Sequence, residues 1–175
     1  GAKSVIPVID QEEARQVAKE RDNEDDVLVG EYEGRAIDGF LVPNPLMIRD
    51  QVKGKNVILS TTNGTVAINR AASANHVYIS SLLNSQSVAE VIKEKHSDET
   101  IIIICSGSSN EFCLEDFYGA GCLVQHLADQ GDWELTDSAK AAHLFYKAYK
   151  HEGIKVLKDS YVGHMLKRFD CEEEI

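Results

Sequence analysis

A chain of 175 residues, 43% hydrophobic and 27% charged, can bury one sizeable core and has an ordinary composition for a globular protein. Its formal net charge of −11 excludes nucleic acid and anionic membrane surfaces as partners, because an acidic surface repels polyanions. No run approaches the roughly 18 apolar residues of a membrane span, and no signal peptide is visible.

The four cysteines (Cys105, Cys113, Cys122, Cys171) make no C-x-x-C pair and no zinc-spaced cluster with histidine. They read as free thiols, those in or near apolar runs as small buried ones, in a reducing cytoplasm. Gly1-Ala-Lys-Ser-Val-Ile-Pro-Val enters a strand without an initiating Met. The chain is therefore expected to be one domain over 1–175 that lacks an N-terminal segment.

In chain order, Ser4 to Ile9 reads as a strand, and Asp10 as the N-cap of a helix with Glu12 and Glu13 in its first turn. Val27 to Glu31 is a second strand, returning through Glu33-Gly34 to Ala36-Ile37 as a hairpin. Gly39 to Asp50 holds two of the three prolines without a clean period and reads as a loop. Asn56 to Ser60 is a strand, Thr65 to Ser73 a helix, and His76 to Ser80 a strand. Asn84 is placed as the cap of a helix running to His96, with Val88, Val91 and Ile92 inward. Thr100-Ile-Ile-Ile-Ile-Cys105 is apolar throughout, the pattern of a central strand buried on both faces. A loop over Ser106 to Glu111, helices over 114–129 and 136–151, and one or two short helices complete the chain. Strands alternating with helices define an α/β fold, a mostly parallel sheet with helices on both faces.

Three groups of residues carry candidate chemistry. The first is Ser60-Thr-Thr-Asn-Gly-Thr65, between a strand and a helix. A helix N-terminus leaves N–H groups unpaired, its dipole favours negative charge, and Gly64 allows close main-chain approach. The hydroxyls of Thr61, Thr62 and Thr65 and the amide of Asn63 add donors. A plain turn with an N-capping Thr fits the same residues. The second group is Cys105-Ser-Gly-Ser-Ser-Asn110 with the acidic pair Glu115-Asp116. Ligands of open α/β sheets lie outside the carboxyl ends of the strands, which places this loop and Thr61–Thr65 on one edge. The pair suits either electrostatic capping of a helix start or Mg²⁺ ligation and water activation beside a phosphate. The third group is Gly30-Glu31 with the Pro-Asn-Pro loop around Asn44.

A nucleophilic Cys105 would need a cation five or six places on. Those places hold Asn110 and Glu111, so a structural thiol fits better. The chain has neither an Asp-x-Asp-x-Thr motif nor a Gly-x-x-x-x-Gly-Lys-Ser/Thr motif. The six histidines are scattered, and none shares with a carboxylate a spacing that marks a relay.

Taken together, these segments resemble the 2-phosphosulfolactate phosphatases over nearly the whole chain. The resemblance runs through Gly1-Ala-Lys-Ser-Val-Ile-Pro-Val, Gly30-Glu31, Gly39-Phe40, Thr61-Thr-Asn-Gly-Thr65, Cys105-Ser-Gly107, Phe112-Cys-Leu-Glu-Asp116, Ala120-Gly121, Ser160 and Gly163. It implies a Mg²⁺-dependent phosphomonoester hydrolase that converts 2-phospho-3-sulfolactate, or a related small anionic phosphoester, to sulfolactate and phosphate in a coenzyme M type pathway. It further implies Glu115, Asp116 and Asn63 as catalytic, with Glu115 and Asp116 on the metal. Thr61, Thr62, Gly64, Thr65, Ser106, Gly107, Ser108, Asn44 and Glu31 fall to the substrate. Association into a homo-oligomer stays open.

The chain departs from the family pattern in three places. The family carries an Asp-x-x-Arg-Ala-Thr-Thr-Thr segment upstream of the Gly-Ala strand, and this sequence begins after it. Gly-Phe-Asp-x-Gly-Asn-Ser-Pro stands here as Gly39-Phe-Leu-Val-Pro-Asn-Pro-Leu46. Ser-x-His-Gly stands as Ser160-Tyr-Val-Gly163. An alternative consistent with these changes is a catalytically inactive, anion-binding homologue.

Overall fold

The computed structural model describes residues 1–168, and Cys171 lies outside the described residues. The chain divides into two compact units, Gly1–Val77 and Tyr78–Ile175.

The first unit is built on a four-stranded sheet of order β1-β4-β2-β3, with β1 at Ser4–Val8, β2 at Asp26–Tyr32, β3 at Arg35–Ala36 and β4 at Asn56–Ser60. β4 pairs in parallel with β1 and β2, and β3 folds back antiparallel on β2. The β2–β3 turn uses Glu33 and Gly34 with φ of 50° and 74°. Positive φ at both central residues is what a tight hairpin with the right twist demands.

Successive strand residues point to opposite faces. Ile6, Val8, Leu28 and Ile58 therefore meet Ala14, Val17 and Ala18 of helix α1 (Gln11–Arg21). Val27, Val29, Val57 and Leu59 pack on the other face with Val52 and with Ile48 of the short helix α2 (Pro45–Ile48). Helices thus cover both faces, as the alternating pattern predicts. Asp10 caps α1 as expected, its Oδ1 accepting the Glu13 N–H at 2.8 Å. Helix α3 (Gly64–Ala71) follows β4 and lies against β1.

A polar chain fixes the register at the amino ends of the parallel strands. Ser4 stands opposite Asn56, and Asn56 opposite Asp26. Ser4 Oγ donates to Asn56 Oδ1 at 2.8 Å, and Asn56 Nδ2 donates to Asp26 Oδ1 at 2.8 Å. Arg21, at the end of α1, closes the chain with Nε on Asp26 Oδ2 at 2.5 Å. Its guanidinium hydrogen bond holds the Asp26 carboxyl below the usual carboxylate range.

The second unit is helical: α4 (Ser85–Lys95), α5 (Leu114–Ala128), α6 (Asp137–Tyr149), α7 (Gly153–Lys158) and α8 (Tyr161–Arg168). Val88, Ala89 and Ile92 of α4 close a core with Leu123 and Leu127 of α5. α5 and α6 cross closely at Gly121, where a Cβ would run into the Ala142 carbonyl oxygen. No helix among the described residues is long and apolar enough to cross a membrane.

Several sequence expectations are corrected here. Residues 101–105 join no strand ladder among the described residues, so the central strand is absent. Ile101 and Ile103 pack on the α4–α5 core, whereas Ile102 and Ile104 are 79% and 59% exposed. The helices cover one side of this run and nothing in the sheet pairs with it. The Ser106 loop therefore does not leave the carboxyl end of a sheet strand among the described residues. His76 to Ser80 is likewise not a strand. Asn84 Nδ2 takes the Ile79 carbonyl at 3.1 Å, and the Tyr78 hydroxyl meets His96 Nε2 at 2.8 Å. Side chains there take the place of ladder bonds. Asn84 stands at the α4 N-cap without a capping bond, its Oδ1 instead accepting the Ser81 N–H at 2.7 Å. Within the expected loop over 39–50, Asn44 Oδ1 accepts the N–H groups of Leu46 and Met47 at 3.0 and 3.2 Å. With Pro45 at its first position, where a missing N–H costs nothing, that is enough to start α2.

Two outcomes test this architecture. Ile58→Ala should cost about 2–5 kcal/mol in urea unfolding, and Ile102→Ala less than about 0.5 kcal/mol; equal costs would mean that residues 101–105 are buried after all. Because the folded Asp26 pKa is depressed, its stabilisation is present above the ordinary carboxylate pKa of about 4 and is lost as pH falls through the lower folded value. The urea-midpoint gap between wild type and Asp26→Asn should therefore shrink as pH is lowered from 6 towards 2. A gap that stays constant would refute the pairing.

Candidate functional site

In the first unit, parallel register sets Ser60 opposite Gly30, so the residues that follow, Thr61–Thr65 and Glu31, leave the sheet side by side. Gly30 is required for this approach, since a Cβ there would run into the Ser60 carbonyl oxygen. The loop then closes on itself. Thr61 Oγ1 accepts the Thr65 N–H at 3.1 Å, and Thr65 Oγ1 accepts the Thr61 N–H at 3.0 Å while donating to the Thr61 carbonyl at 3.0 Å. Thr65 is buried, and Asn63 and Gly64 begin α3. Asn63 makes no side-chain cap, because Thr61 has taken that task. The positive end of the α3 dipole lies at this point and favours negative charge, although the Thr61 and Thr65 N–H groups are already bound within the loop.

Glu31 is tied to the same loop. Its Oε1 accepts the Thr62 N–H at 2.7 Å, and its Oε2 accepts the Thr62 hydroxyl at 3.0 Å and the Gly34 N–H at 2.7 Å. Asn44, assigned to the substrate by resemblance, places its Oδ1 on the first turn of α2.

In the second unit, the loop expected over Ser106 to Glu111 is a miniature hairpin. Ser108 and Glu111 exchange N–H···O bonds of 3.1 and 2.9 Å, and the two residues between them, Ser109 and Asn110, have φ of 53° and 65°. Gly107, at φ 70°, lies where a side chain would press on the Glu111 carbonyl, which only glycine tolerates. Asp116, in the first turn of α5, braces this loop: its Oδ2 accepts the Gly107 N–H at 2.7 Å and the Ser106 hydroxyl at 3.3 Å. Glu115 beside it has one carboxylate oxygen, Oε2, buried without a hydrogen-bond partner. A buried carboxylate oxygen left without a donor is costly unless a cation or water supplies one. Carboxylate oxygens such as the unpartnered Oε2 of Glu115 are the hard donors that Mg²⁺ takes.

The thiols do not suit nucleophilic chemistry. Burial, then the charges of Glu115 and Asp116, push the Cys113 thiol up to about 12. Cys105 is exposed as a residue, yet partial desolvation of its sulfur and the nearby Asp116 charge also raise its pKa. Cys122 is buried, 3.4 Å from the Ser85 hydroxyl. Ser160 is also buried, and caps α8 by accepting the Gly163 N–H at 2.9 Å; Val162 follows within that first turn.

One polar constellation escaped the sequence reading. His96 is 7% exposed, with Nδ1 2.8 Å from Glu99 Oε1 and Nε2 2.8 Å from the Tyr78 hydroxyl. The His-x-x-Glu spacing was visible in the sequence; the tyrosine 18 residues away was not.

The mostly parallel sheet, with helices on both faces and a hydroxyl-rich loop between β4 and α3, defines an α/β protein. The chain belongs to the 2-phosphosulpholactate phosphatase family, whose model matches residues 1–175. It is 41% identical over 180 residues to a probable 2-phosphosulfolactate phosphatase of Clostridium perfringens, covering 100% of this chain and 71% of that protein. It is 36% identical over 177 residues to a protein of the same description from Caldanaerobacter subterraneus, covering 100% and 73%. A third, from Caldicellulosiruptor saccharolyticus, is 35% identical over 181 residues, covering 100% and 74%.

Raised thiol pKa values fix an expected reactivity. At about pH 7.5, Cys105 should alkylate with iodoacetamide more slowly than free cysteine, accelerating as pH rises, while Cys113 and Cys122 react only after unfolding. Peptide mapping after timed quenching reads this directly, and rapid alkylation of Cys105 would reinstate it as a nucleophile.

Proposed function

We propose that this protein hydrolyses 2-phospho-3-sulfolactate, or a closely related small anionic phosphomonoester, to sulfolactate and inorganic phosphate. The whole-length family match carries the reading. The chemistry of the two loops agrees with it. The substrate brings a phosphate and a sulfonate to a chain of net charge −11, so attraction must come from local donors rather than from the overall field. The positive end of α3 favours an anion at Asn63 and Gly64, where Asn63 would contribute its side-chain amide, while the N–H groups of Thr61, Thr62 and Thr65 are bound within the protein. The Ser106–Ser108 turn has its Gly107 N–H, Ser106 hydroxyl and Ser108 N–H bound within the second unit and would contribute the Ser108 hydroxyl.

Hydrolysis needs a water delivered to phosphorus and negative charge stabilised on the phosphoryl oxygens and the leaving alkoxide. Glu115 and Asp116 would hold a Mg²⁺ ion, supported by the unclaimed buried oxygen of Glu115. When bound, the ion would supply positive charge beside the phosphate. Asp116 keeps the Gly107 turn in shape while it does so. Glu115 is the better placed of the two to orient water, because Asp116 already accepts two protein donors through one oxygen. A cytoplasmic setting and a role towards coenzyme M belong to the same proposal; the free thiols of Cys105, Cys113 and Cys122 suit a reducing compartment.

The test is phosphate release from 2-phosphosulfolactate by the full-length protein. EDTA should abolish it and Mg²⁺ restore it. Asn63→Ala should lower kcat/KM about 10–100-fold, the effect of one hydrogen bond to a charged group, and Glu115→Gln should lower kcat by roughly 100-fold or more. Cys105→Ser should keep its rate. Full activity in both Asn63→Ala and Glu115→Gln would remove these residues from the site, and substrate binding without turnover would leave only the anion-binding homologue.

A further inference from the structure

We infer that Glu31 is a positioning residue that acts through Thr62 and touches neither substrate nor metal; this rests on the phosphatase reading of the Thr61–Thr65 loop. Donors and acceptors can be counted. A carboxylate accepts and never donates, and three donors converge on this one: the Thr62 N–H at 2.7 Å, the Gly34 N–H at 2.7 Å and the Thr62 hydroxyl at 3.0 Å. Thr62 Oγ1 has a single proton, and it points to Glu31. The same oxygen accepts the Glu33 N–H at 2.7 Å. Thr62 therefore presents no donor to an oxyanion, although its residue type suggests one. Its hydroxyl is the rivet between the phosphate loop and the β2–β3 turn.

The geometry also explains why the residue is a glutamate. Two main-chain N–H groups and one O–H need a two-oxygen group that only accepts. Glutamine would turn an NH₂ towards at least one of these donors, and aspartate would fall a methylene short. Gly30 supports the arrangement from below, since only a residue without Cβ lets β2 close on Ser60 so that Glu31 meets Thr62. Thr65 spends its N–H and its hydroxyl proton on Thr61 in the same way, so recognition by the loop falls to the Thr61 hydroxyl, Asn63 and Gly64, with Glu31 setting where they stand.

Hydrogen exchange and kinetics on the full-length protein test this together. In Glu31→Gln, exchange at the Thr62 and Gly34 amides should speed up about 10–100-fold, the effect of losing a hydrogen bond to a charged group, while Val57–Leu59 in β4 stay protected. Unchanged protection at Thr62 would overturn the inference. In steady-state assays with 2-phosphosulfolactate, Glu31→Gln and Thr62→Val should each raise KM more than they lower kcat. The double variant should be no worse than the poorer single one, because both break the same link. Multiplied effects, or a shifted Mg²⁺ activation constant in Glu31→Gln alone, would make Glu31 a direct ligand and overturn the inference. If Glu31→Gln also loses β4 protection, Thr62→Val, which keeps the main-chain bond, decides by the exchange rate at Glu33: faster supports the rivet, unchanged refutes it. Should the wild type release no phosphate, the functional reading fails separately and the exchange data alone judge Glu31.

Discussion

The first unit depends on one lateral constraint, the common register of β1, β4 and β2. Because strand side chains alternate with a period of two, a slip of one residue would send every apolar side chain of a strand to the wrong face. Ile58 would leave α1, and Val57 would leave Val52. The apolar pattern forbids odd slips, but a slip of two would preserve the faces. The polar chain Ser4–Asn56–Asp26–Arg21 discriminates against that alternative, since its hydrogen bonds exist in one alignment only. Register at the amino ends then propagates along five residue pairs to the carboxyl ends, where it delivers Ser60 beside Gly30.

What happens at that end is a consequence of geometry before it is a matter of ligand chemistry. Gly30 permits the approach, and Glu31 gathers the donors of the neighbouring loop. Thr61 and Thr65 satisfy one another. The second unit repeats the device with different parts: Asp116 reaches back from a helix start to hold a glycine N–H in a tight turn. In both, a carboxylate shapes a hydroxyl- and glycine-rich loop. An acidic protein cannot spend its carboxylates at random: both oxygens of Glu31, and Oδ2 of Asp116, are taken by protein donors.

Much of the sheet could be read from residues. Asp10, the Val27–Glu31 run and Asn56–Ser60 announce themselves through capping chemistry, β-branched side chains and hydropathy, all local signals. The segment 100–105 misled because four successive isoleucines report only that burial is wanted, not by what. Here one side meets α4 and α5 and the other remains open. His76–Ser80 misled similarly, since its fixed contacts are side-chain bonds, Tyr78 to His96 18 residues on and Asn84 to the Ile79 carbonyl, that hydropathy does not report. For the site, the residue types of Thr61–Thr65 and Glu115–Asp116 suit a capped turn and an electrostatic helix cap as well as anion and cation chemistry, and the family resemblance is what favours the latter. The direction of each hydrogen bond does not. A threonine that donates to an anion and one that donates to a glutamate look alike in a sequence, and family likeness carries names of residues without that direction.

On the proposed reading of the loop, the reciprocal bonds of Thr61 and Thr65 bear on how quickly an anion would be received. A loop already closed upon itself has surrendered its conformational entropy during folding, so an arriving ligand need not impose order on it. Association at such a loop is governed by encounter and desolvation, with no slow rearrangement to wait for, and dissociation alone distinguishes a good ligand from a poor one. Discrimination then rests on the lifetime of the complex, and a product with fewer charges than the substrate leaves sooner for that reason.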